Sequence, residues 1–206
     1  MFNTVTFRDF EERDIAFIYK CKNDEKLNSM IVGDFHPFTY EEAEKWVHGC
    51  MGENDTFKFW AICTNDEEKR IVGWVSLSNI DSINRCVCHH GIVIGDNEYR
   101  DGVAMFEAMI FSMEYAFNRI KCHRLYGSCL SDHKVSPHML NALGFKLEGV
   151  QRDAVRRNGR YHDILDYAML EEEYQGLIES RAFDTEQLIM RFVRSIKSIK
   201  KVINNH

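Results

Sequence analysis

The stretch that decides the fold runs from Gly91 to Phe145 and reads GIVIGDNEYRDGVAMFEAMIFSMEYAFNRIKCHRLYGSCLSDHKVSPHMLNALGF. Residues 91–94 form an apolar strand pattern that ends in a polar turn. From about 103 to 119 the apolar residues then recur three and four positions apart, which is the period of an amphipathic helix. A second strand pattern at 125–129 and a shorter helix follow. The order strand, loop, helix, strand, helix is therefore predicted.

The loop before the first of these helices favours an anionic ligand. It holds Arg100 and Gly102, and it leads into a helix N-terminus, where free N–H groups and the positive end of the helix dipole attract negative charge. Gly102 lets a ligand approach the backbone closely. On the helix itself, Glu107 and Glu114 are predicted to face water. The apolar side is predicted to bury Met105, Met109, Ile110, Met113, Phe117 and Ile120.

Several short motifs give the chain a family resemblance. They are Glu107-Ala108, Tyr115-Ala116-Phe117, His123-Arg124-Leu125-Tyr126, Leu143-Gly144-Phe145 with Glu148-Gly149, Arg152, and Asp163 with Tyr167-Ala168-Met169-Leu170. Together they resemble the GNAT superfamily of acyl-CoA-dependent N-acetyltransferases over most of residues 4–170. The likeness is greatest to the branch with ribosomal-protein N-terminal, polyamine and amino-sugar-nucleotide acetyltransferases.

The resemblance implies both a fold and an activity. The fold is α/β (α+β), with a mixed, mainly antiparallel twisted sheet, helices on both faces and a splayed V between the strands at 91–94 and 125–129. The activity is acetyl transfer from acetyl-CoA to a primary amine, by direct attack in a ternary complex. The acceptor is a small molecule, such as an amino-sugar nucleotide, or a protein N-terminus. The alternative is a catalytically weakened CoA-binding or ligand-sensing module of the same fold.

Carried over from the family, the CoA contacts fall on two segments and a short helix. Main-chain groups of Ile92, Val93 and Ile94 pair with the pantetheine arm, and the short helix contributes His133 and Ser136. The pyrophosphate loop comprises Arg100, Asp101, Gly102, Val103, Ala104 and Met105. This loop departs from the family pattern, because Val103 and Met105 stand where small residues are usual.

Two residues are candidates for proton transfer. His89 stands two positions before Gly91, where relatives often carry an acidic base, and an imidazole of ordinary pKa would titrate near 6.5. Its alternative role is that of a packed core histidine. Leu140 occupies the position of the tyrosine acid of many relatives, so Ser136 or solvent is left to protonate the thiolate. Ser136-Pro137 is equally the sequence of an ordinary helix start.

The predicted acceptor-binding residues are Phe35, Phe38, Asn79 and Arg152. The two phenylalanines lie in a loop-like segment, 23–38, that resembles part of the acceptor wall, and they could equally close the edge of the core. Asn79 belongs to a segment similar to flagellar amino-sugar-nucleotide acetyltransferases. Arg152 could meet phosphates of a nucleotide sugar, whereas a solvated, paired edge is the alternative for the arginines of this hairpin.

Composition limits the class of protein. The chain has 206 residues, 45% hydrophobic, which suits one globular domain. Net charge is −6, and six basic against two acidic residues after position 180 leave −10 for the rest, which argues against nucleic acid. No segment suits a signal or a membrane span, so a cytoplasmic protein is expected. The seven scattered cysteines are read as reduced core residues, without a metal site.

Two parts are predicted along the chain. Residues 1–176 form the acetyltransferase domain, and 177–206 form a C-terminal amphipathic helical extension. The extension carries Leu188, Phe192 and Ile196 on one face and basic residues on the other. Docking on its own domain or on a second copy in a homodimer is expected, because the apolar stripe must be buried somewhere.

Overall fold

The computed structural model describes residues 3–29, 35–52, 54–157 and 159–203, with the backbone alone for 197–203. Its strands are β1 (Val5–Arg8), β2 (Lys58–Thr64), β3 (Ile71–Asp81), β4 (Cys86–Ile94), β5 (Arg124–Leu130), β6 (Lys146–Arg157) and β7 (Arg160–Leu170). Its helices are α1 (Ile15–Lys22), α2 (Glu25–Asn28), α3 (Tyr40–Cys50), α4 (Val103–Glu114), α5 (Ser136–Leu143), α6 (Glu171–Glu179) and α7 (Thr185–Ile203).

The seven strands form one sheet in the order β1-β2-β3-β4-β5-β7-β6. Every neighbouring pair is antiparallel except β4 and β5, which are parallel. The connection between these two strands contains α4, as a parallel crossover requires. The predicted mixed, mainly antiparallel sheet is therefore confirmed.

Helices cover both faces of the sheet, as predicted. On one face α1 and α3 pack on β2 and β3, with Ile18 and Val47 fully buried against Trp74 and its neighbours. On the other face α4 and α5 bury residues such as Met113 and Leu143 against the middle strands. The first pair covers β2 and β3, with Val93 of β4 packed at the margin of the same cluster.

The helix starts follow local chemistry. At α3 the Thr39 side chain accepts the Glu42 N–H at 3.2 Å, while the Glu42 carboxylate accepts the Thr39 N–H at 2.7 Å. This is the capping box predicted by the Thr-x-x-Glu spacing. The segment 23–38, predicted to be a loop, contains the short helix α2, started by the Asp24 side chain. Residues 30–34 of that segment lie outside the described residues.

The expectation that Glu107 faces water is wrong, whereas Glu114 is exposed as predicted. Glu107 is 8% exposed, and its carboxylate accepts the backbone N–H groups of Thr4 and Val5 at 2.9–3.1 Å. The start of β1 lies against α4, and its unpaired amides need an acceptor there. The helix also ends differently from the prediction, because Tyr115–Ile120 widens into a π-helical turn.

The last hairpin and the C-terminal helix complete the fold. β6 and β7 pair up to Arg157 and Arg160, so the predicted hairpin is present, although Asn158 of its turn lies outside the described residues. α7 packs on α5, with His138 Nδ1 3.2 Å from Ser195 Oγ, and Leu188 is buried in the main core. The apolar stripe thus docks on its own chain.

Candidate active site

The central feature of the site is an opening between β4 and β5. The two strands pair at Cys86, Val87 and Cys88, whose partners are Arg124, Leu125 and Tyr126, and the pairing stops there. β4 continues to Ile94 along β3, and β5 continues to Leu130 along β7. The arms therefore diverge, as predicted, and in β4 every second residue directs its N–H and C=O into the gap.

Gly127 marks the point where the arms separate. A Cβ atom at this residue would lie 3.0 Å from the His89 carbonyl oxygen and 3.6 Å from the His89 Cβ. A side chain would push the two strands apart at the vertex. Glycine keeps the vertex narrow while the two arms beyond it stay separated.

The β4 arm ends in a contact with the predicted phosphate loop. Arg100 donates from Nε to the Ile94 carbonyl and from Nη2 to the Gly95 carbonyl, both at 2.9 Å. The guanidinium therefore holds the end of the strand. The Ile94 carbonyl, one of the groups predicted to pair with pantetheine, is engaged by Arg100.

The N-terminus of α4 lies directly after this loop. Gly102 precedes the helix with φ of 96°, a left-handed conformation that glycine adopts without strain. The Asp101 carboxylate accepts the Val103 N–H at 2.9 Å. Ala104 is buried, whereas Met105 is half-buried. The loop has the geometry of an anion site, but one of its amides is already bound to a carboxylate of this chain.

At the start of α5 the His133 ring acts as a cap. Its Nδ1 accepts the N–H groups of Val135 and Ser136 at 3.2 and 3.0 Å, so the ring is neutral with its proton on Nε2. Burial lowers the pKa of His133. Ser136 is half-buried in the first turn of α5, and Leu140 is buried. The site therefore places His133 and Ser136 together near the open end of the β5 arm.

His89 faces α4. Ser112 Oγ donates to the Met109 carbonyl at 2.9 Å and so accepts from His89 Nε2, 3.1 Å away. Desolvation lowers the pKa of His89 from 6.5 to about 4. Packing against α4 thus moves the pKa of this ring below the ordinary 6.5 expected from the sequence, although the residue as a whole is half-buried. A bulge at His90, which is skipped between the pairs Leu77–His89 and Ser76–Gly91, interrupts the strand alternation.

We expect His89→Gln to change acid stability more than the pH profile of turnover. The folded pKa, about 4, lies below the ordinary 6.5, so folding holds the ring neutral. Below pH 6.5 the unfolded chain takes up a proton on His89 before the folded protein does. The free energy of unfolding is therefore highest above pH 6.5 and decreases as pH falls toward 4. Denaturation of wild type and variant between pH 7 and 4 should show a weaker acid dependence in the variant.

The same variant separates this role from catalysis. We expect its turnover to keep the wild-type profile between pH 6 and 8, a window well above the folded pKa of about 4. A stably folded variant that lost roughly 10²–10⁴ in rate would instead make His89 the general base.

A cleft lies beside the vertex, on the sheet face away from α4 and α5. Leu125 and Cys129 of β5 belong to the core under those helices, so the alternating residues Tyr126 and Ser128 face the other way. The cleft has a volume of about 400 Å³. Its lining residues are Arg124, Tyr126, Gly127, Ser128, Glu148, Gly149, Gln151, Asp166 and Tyr167.

Sequence reasoning did not identify this polar surface as part of the site. The alternation Arg124-Leu125-Tyr126-Gly127-Ser128 would have indicated it, because polar residues take every second position of a buried strand. The residues that were predicted to bind the acceptor do not line it. Phe38 packs on the core under α1 and α3, with Lys22 Nζ 5.3 Å from its ring centre. Phe35, Asn79 and Arg152 are exposed elsewhere on the surface.

The chain has seven cysteines, of which Cys86 and Cys88 lie where β4 pairs with β5. All seven cysteines are free thiols, and five of them are buried, as expected of core residues, while Cys86 and Cys88 are half-buried. Within the described part of the chain, no three His, Cys, Asp or Glu side chains are grouped so as to hold a metal ion. No helix among the described residues is long and apolar enough to cross a membrane.

A sheet that splays between two parallel strands, next to a helix N-terminus with an anion-site loop, defines the class of this protein. Residues 4–146 match the family model described as "Acetyltransferase (GNAT) domain". The chain belongs to the GNAT acetyltransferase family and is an N-acetyltransferase.

Among the similar proteins is one that carries a substrate in its name. The chain is 24% identical to spermidine N(1)-acetyltransferase of Vibrio cholerae, over 84% of this chain and 97% of that protein. It is 28% identical to the uncharacterized N-acetyltransferase p20 of Bacillus licheniformis, over 84% and 96% of the two chains.

Solved structures support the same fold. The crystal structure of the Vibrio cholerae spermidine N-acetyltransferase with CoA and spermine has a TM-score of 0.73 at 22% identity, covering 84% of this chain and 98% of that one. A GNAT-family acetyltransferase from Bacillus anthracis has a TM-score of 0.70 at 22% identity, covering 82% and 96%.

Proposed function

We propose that this protein transfers the acetyl group of acetyl-CoA to a primary amine of a small molecule, by direct attack in a ternary complex. The observation that carries the proposal is the opening between β4 and β5, with a polar cleft on the face opposite α4 and α5. A thioester in the opening can be approached from one face by CoA and from the other by the amine. Reaction between two bound groups requires this proximity.

The reaction needs a neutral amine and a proton for the thiolate. The ammonium form first loses a proton, and the nitrogen attacks the thioester carbon. The new C–N bond forms, the nitrogen loses its second proton to solvent, the C–S bond breaks as the tetrahedral intermediate collapses, and the thiolate takes up a proton. We propose Ser136 or solvent as the proton donor, since Ser136 is half-buried at the start of α5. The first proton leaves to solvent; His89, whose ring stays neutral down to about pH 4, is the alternative acceptor that the His89→Gln variant tests.

We assign the CoA contacts to the segments predicted from the sequence. Main-chain groups of residues 92–94 are assigned to the pantetheine arm, although the Val93 carbonyl itself faces Gly73 of β3. The loop of residues 100–105 is assigned to the pyrophosphate, and His133 follows the end of β5. His133 can donate from Nε2, because its Nδ1 caps α5. Arg100 would have to exchange its two carbonyl contacts for phosphate oxygens.

A small cationic acceptor fits the cleft better than a nucleotide sugar. The volume, about 400 Å³, lies in the usual range for small-molecule sites. Of the described residues that line it, Arg124 is the basic one, and the Glu148 carboxylate already binds it. A phosphate-bearing acceptor would lack a free cation there, whereas an amine would meet carboxylates. The spermidine named for the Vibrio cholerae relative is a cation of this kind.

Calorimetry and a thiol-release assay test the proposal together. Acetyl-CoA should bind to the purified protein, and CoA thiol should appear when polyamines, amino sugars or an N-terminal peptide is added. Mass spectrometry of the acceptor would then identify the acetylated product. Absence of acetyl-CoA binding would contradict the proposal outright.

The second candidate is a CoA-binding sensor that no longer turns over. It is favoured by the Arg100 contacts and by Val103, Met105 and Leu140 in positions where relatives carry other residues. Tight CoA binding without thiol release from any amine class would select this candidate.

We expect Asp101→Asn to tighten acetyl-CoA binding. Asparagine caps a helix start about as well as aspartate, so the Val103 N–H keeps an acceptor. Removing one negative charge beside the pyrophosphate should improve affinity roughly three- to tenfold, the size of a partly screened charge interaction. Calorimetry with acetyl-CoA measures the change. Acetyl-pantetheine, which lacks the pyrophosphate, is the control ligand and should bind both proteins equally; weaker acetyl-CoA binding would contradict the assignment.

A further inference from the structure

Asp166 holds an oriented carboxylate at the edge of the β4–β5 opening. It lies on β7 directly opposite Ser128 of β5. Its Oδ1 accepts the Ser128 hydroxyl and its Oδ2 accepts the Gln151 side-chain amide, both at 2.8 Å. Both oxygens are thereby fixed, and the residue is half-buried on the floor of the cleft.

The two groups that donate hydrogen bonds to Asp166 are both neutral. A hydroxyl and an amide orient the carboxylate without cancelling its charge. The other charges of the cleft cancel each other, because Arg124 forms a two-pronged ion pair with Glu148. The cleft therefore presents one net negative charge, located at Asp166.

The distance from the vertex suits a second charge of the acceptor. Ser128 lies two residues beyond Tyr126, the last β5 residue that pairs with β4. Two residues span about 7 Å along a strand, and the neighbouring strand lies about 5 Å to the side. Asp166 is therefore within about 10 Å of the point where the strands separate. That separation can be bridged by the carbon chain of a diamine.

We infer that Asp166 binds a second, non-reacting ammonium group of the acceptor and so selects amines with two positive charges over monoamines. The inference rests on the proposed acetyl transfer and adds the acceptor class. The reacting nitrogen loses its proton and attacks the thioester in the opening. The other nitrogen stays protonated and pairs with Asp166, which takes no part in bond making.

Two acceptors with the same carbon chain isolate this contact. Cadaverine and pentylamine differ only in the second amine, so the ratio of their kcat/KM values reports the second ammonium. For wild type we expect a preference of roughly 10- to 100-fold for cadaverine, the contribution of a hydrogen bond between charged groups. In Asp166→Asn the ratio should fall to near one, because the KM for cadaverine rises. The kcat value and the affinity for acetyl-CoA should stay as in wild type.

Further variants separate charge recognition from structure. Asp166→Glu restores the charge and should recover most of the preference. Asp163→Asn removes a carboxylate from the same strand, where it accepts the Asp153 N–H, and should leave the ratio unchanged. Asp166→Ser, a second uncharged variant, replaces Asp166→Asn if the new amide beside Gln151 prevents folding. An unchanged cadaverine preference in the uncharged variant, or an equal loss on both amines, would overturn the inference.

Calorimetry distinguishes failure of this inference from failure of the proposed function. If wild type acetylates neither amine, binding of cadaverine and pentylamine can be measured directly in wild type and in the uncharged variant. Selective cadaverine binding that disappears with the Asp166 charge would support the cation site without turnover. Equal binding of the two amines, or selectivity that survives, would reject it.

Discussion

Gly73→Ala should be among the most damaging single substitutions in this chain, with a loss of roughly 3 kcal/mol or more in the free energy of unfolding. A Cβ atom at residue 73 would overlap the Val93 carbonyl oxygen and lie 3.2 Å from the Ile94 Cα. Both neighbours are backbone atoms of β4, so no side chain can rotate away. Chemical denaturation of the purified variant measures the loss.

The same substitution should impair acetyl-CoA binding in any folded fraction. Gly73 pairs with Ile94, and Trp74 pairs with Val93, so the clash displaces the arm that lines the opening. Calorimetry at a temperature where the variant remains folded would show weaker binding.

Gly49→Ala is the matched control. A Cβ atom at residue 49 of α3 meets no atom within 4 Å, and alanine is the better helix former by about 0.5–1 kcal/mol. This variant should be slightly more stable than wild type. A Gly73→Ala protein as stable as Gly49→Ala would show that β3 and β4 are not packed as closely as described.

Much of the fold could be predicted because its signals are local. The apolar period changes from two to 3.6 after residue 94, and Thr39 with Glu42 marks the start of α3. The order of elements then fixes a parallel β4–β5 pair around a crossover helix. The splay between the strands at 91–94 and 125–129 was predicted through the family resemblance. That pairing stops at Cys88 was not predicted, since no local pattern shows where two strands stop pairing.

The site was harder to predict because its contacts join distant parts of the chain. Helical periodicity placed Glu107 in water, since it does not show that the start of β1 lies against α4. Alternation located His89 on a strand, yet the burial that lowers its pKa comes from packing on α4. Asp166 acquires its neighbours only when β5, β6 and β7 align. The roles proposed for these residues remain predictions to be measured.

Glu107→Ala should destabilise the protein by roughly 3 kcal/mol, because one buried and one partly buried backbone donor would each lose a charged acceptor. Thr4 N and Val5 N lie 2.9–3.1 Å from the Glu107 carboxylate. These hydrogen bonds join the start of β1 to α4. For a chain of this size the melting temperature should fall by roughly 6–12 °C. Scanning calorimetry checks the change, and hydrogen exchange should show early opening of β1.

Glu107→Gln and Glu114→Ala are the control variants with which the loss of stability in Glu107→Ala is compared. Glutamine keeps one acceptor oxygen but turns a donor toward the second amide, so its cost should lie between those of wild type and Glu107→Ala. Glu114 is exposed on the same helix, and its replacement by alanine should change stability by no more than about 0.5 kcal/mol. Equal effects at positions 107 and 114 would mean that the carboxylate does not hold β1. A loss of stability confined to Glu107→Ala would show that the buried Glu107 carboxylate holds the edge strand β1 against α4. The helical periodicity of the sequence does not indicate this contact.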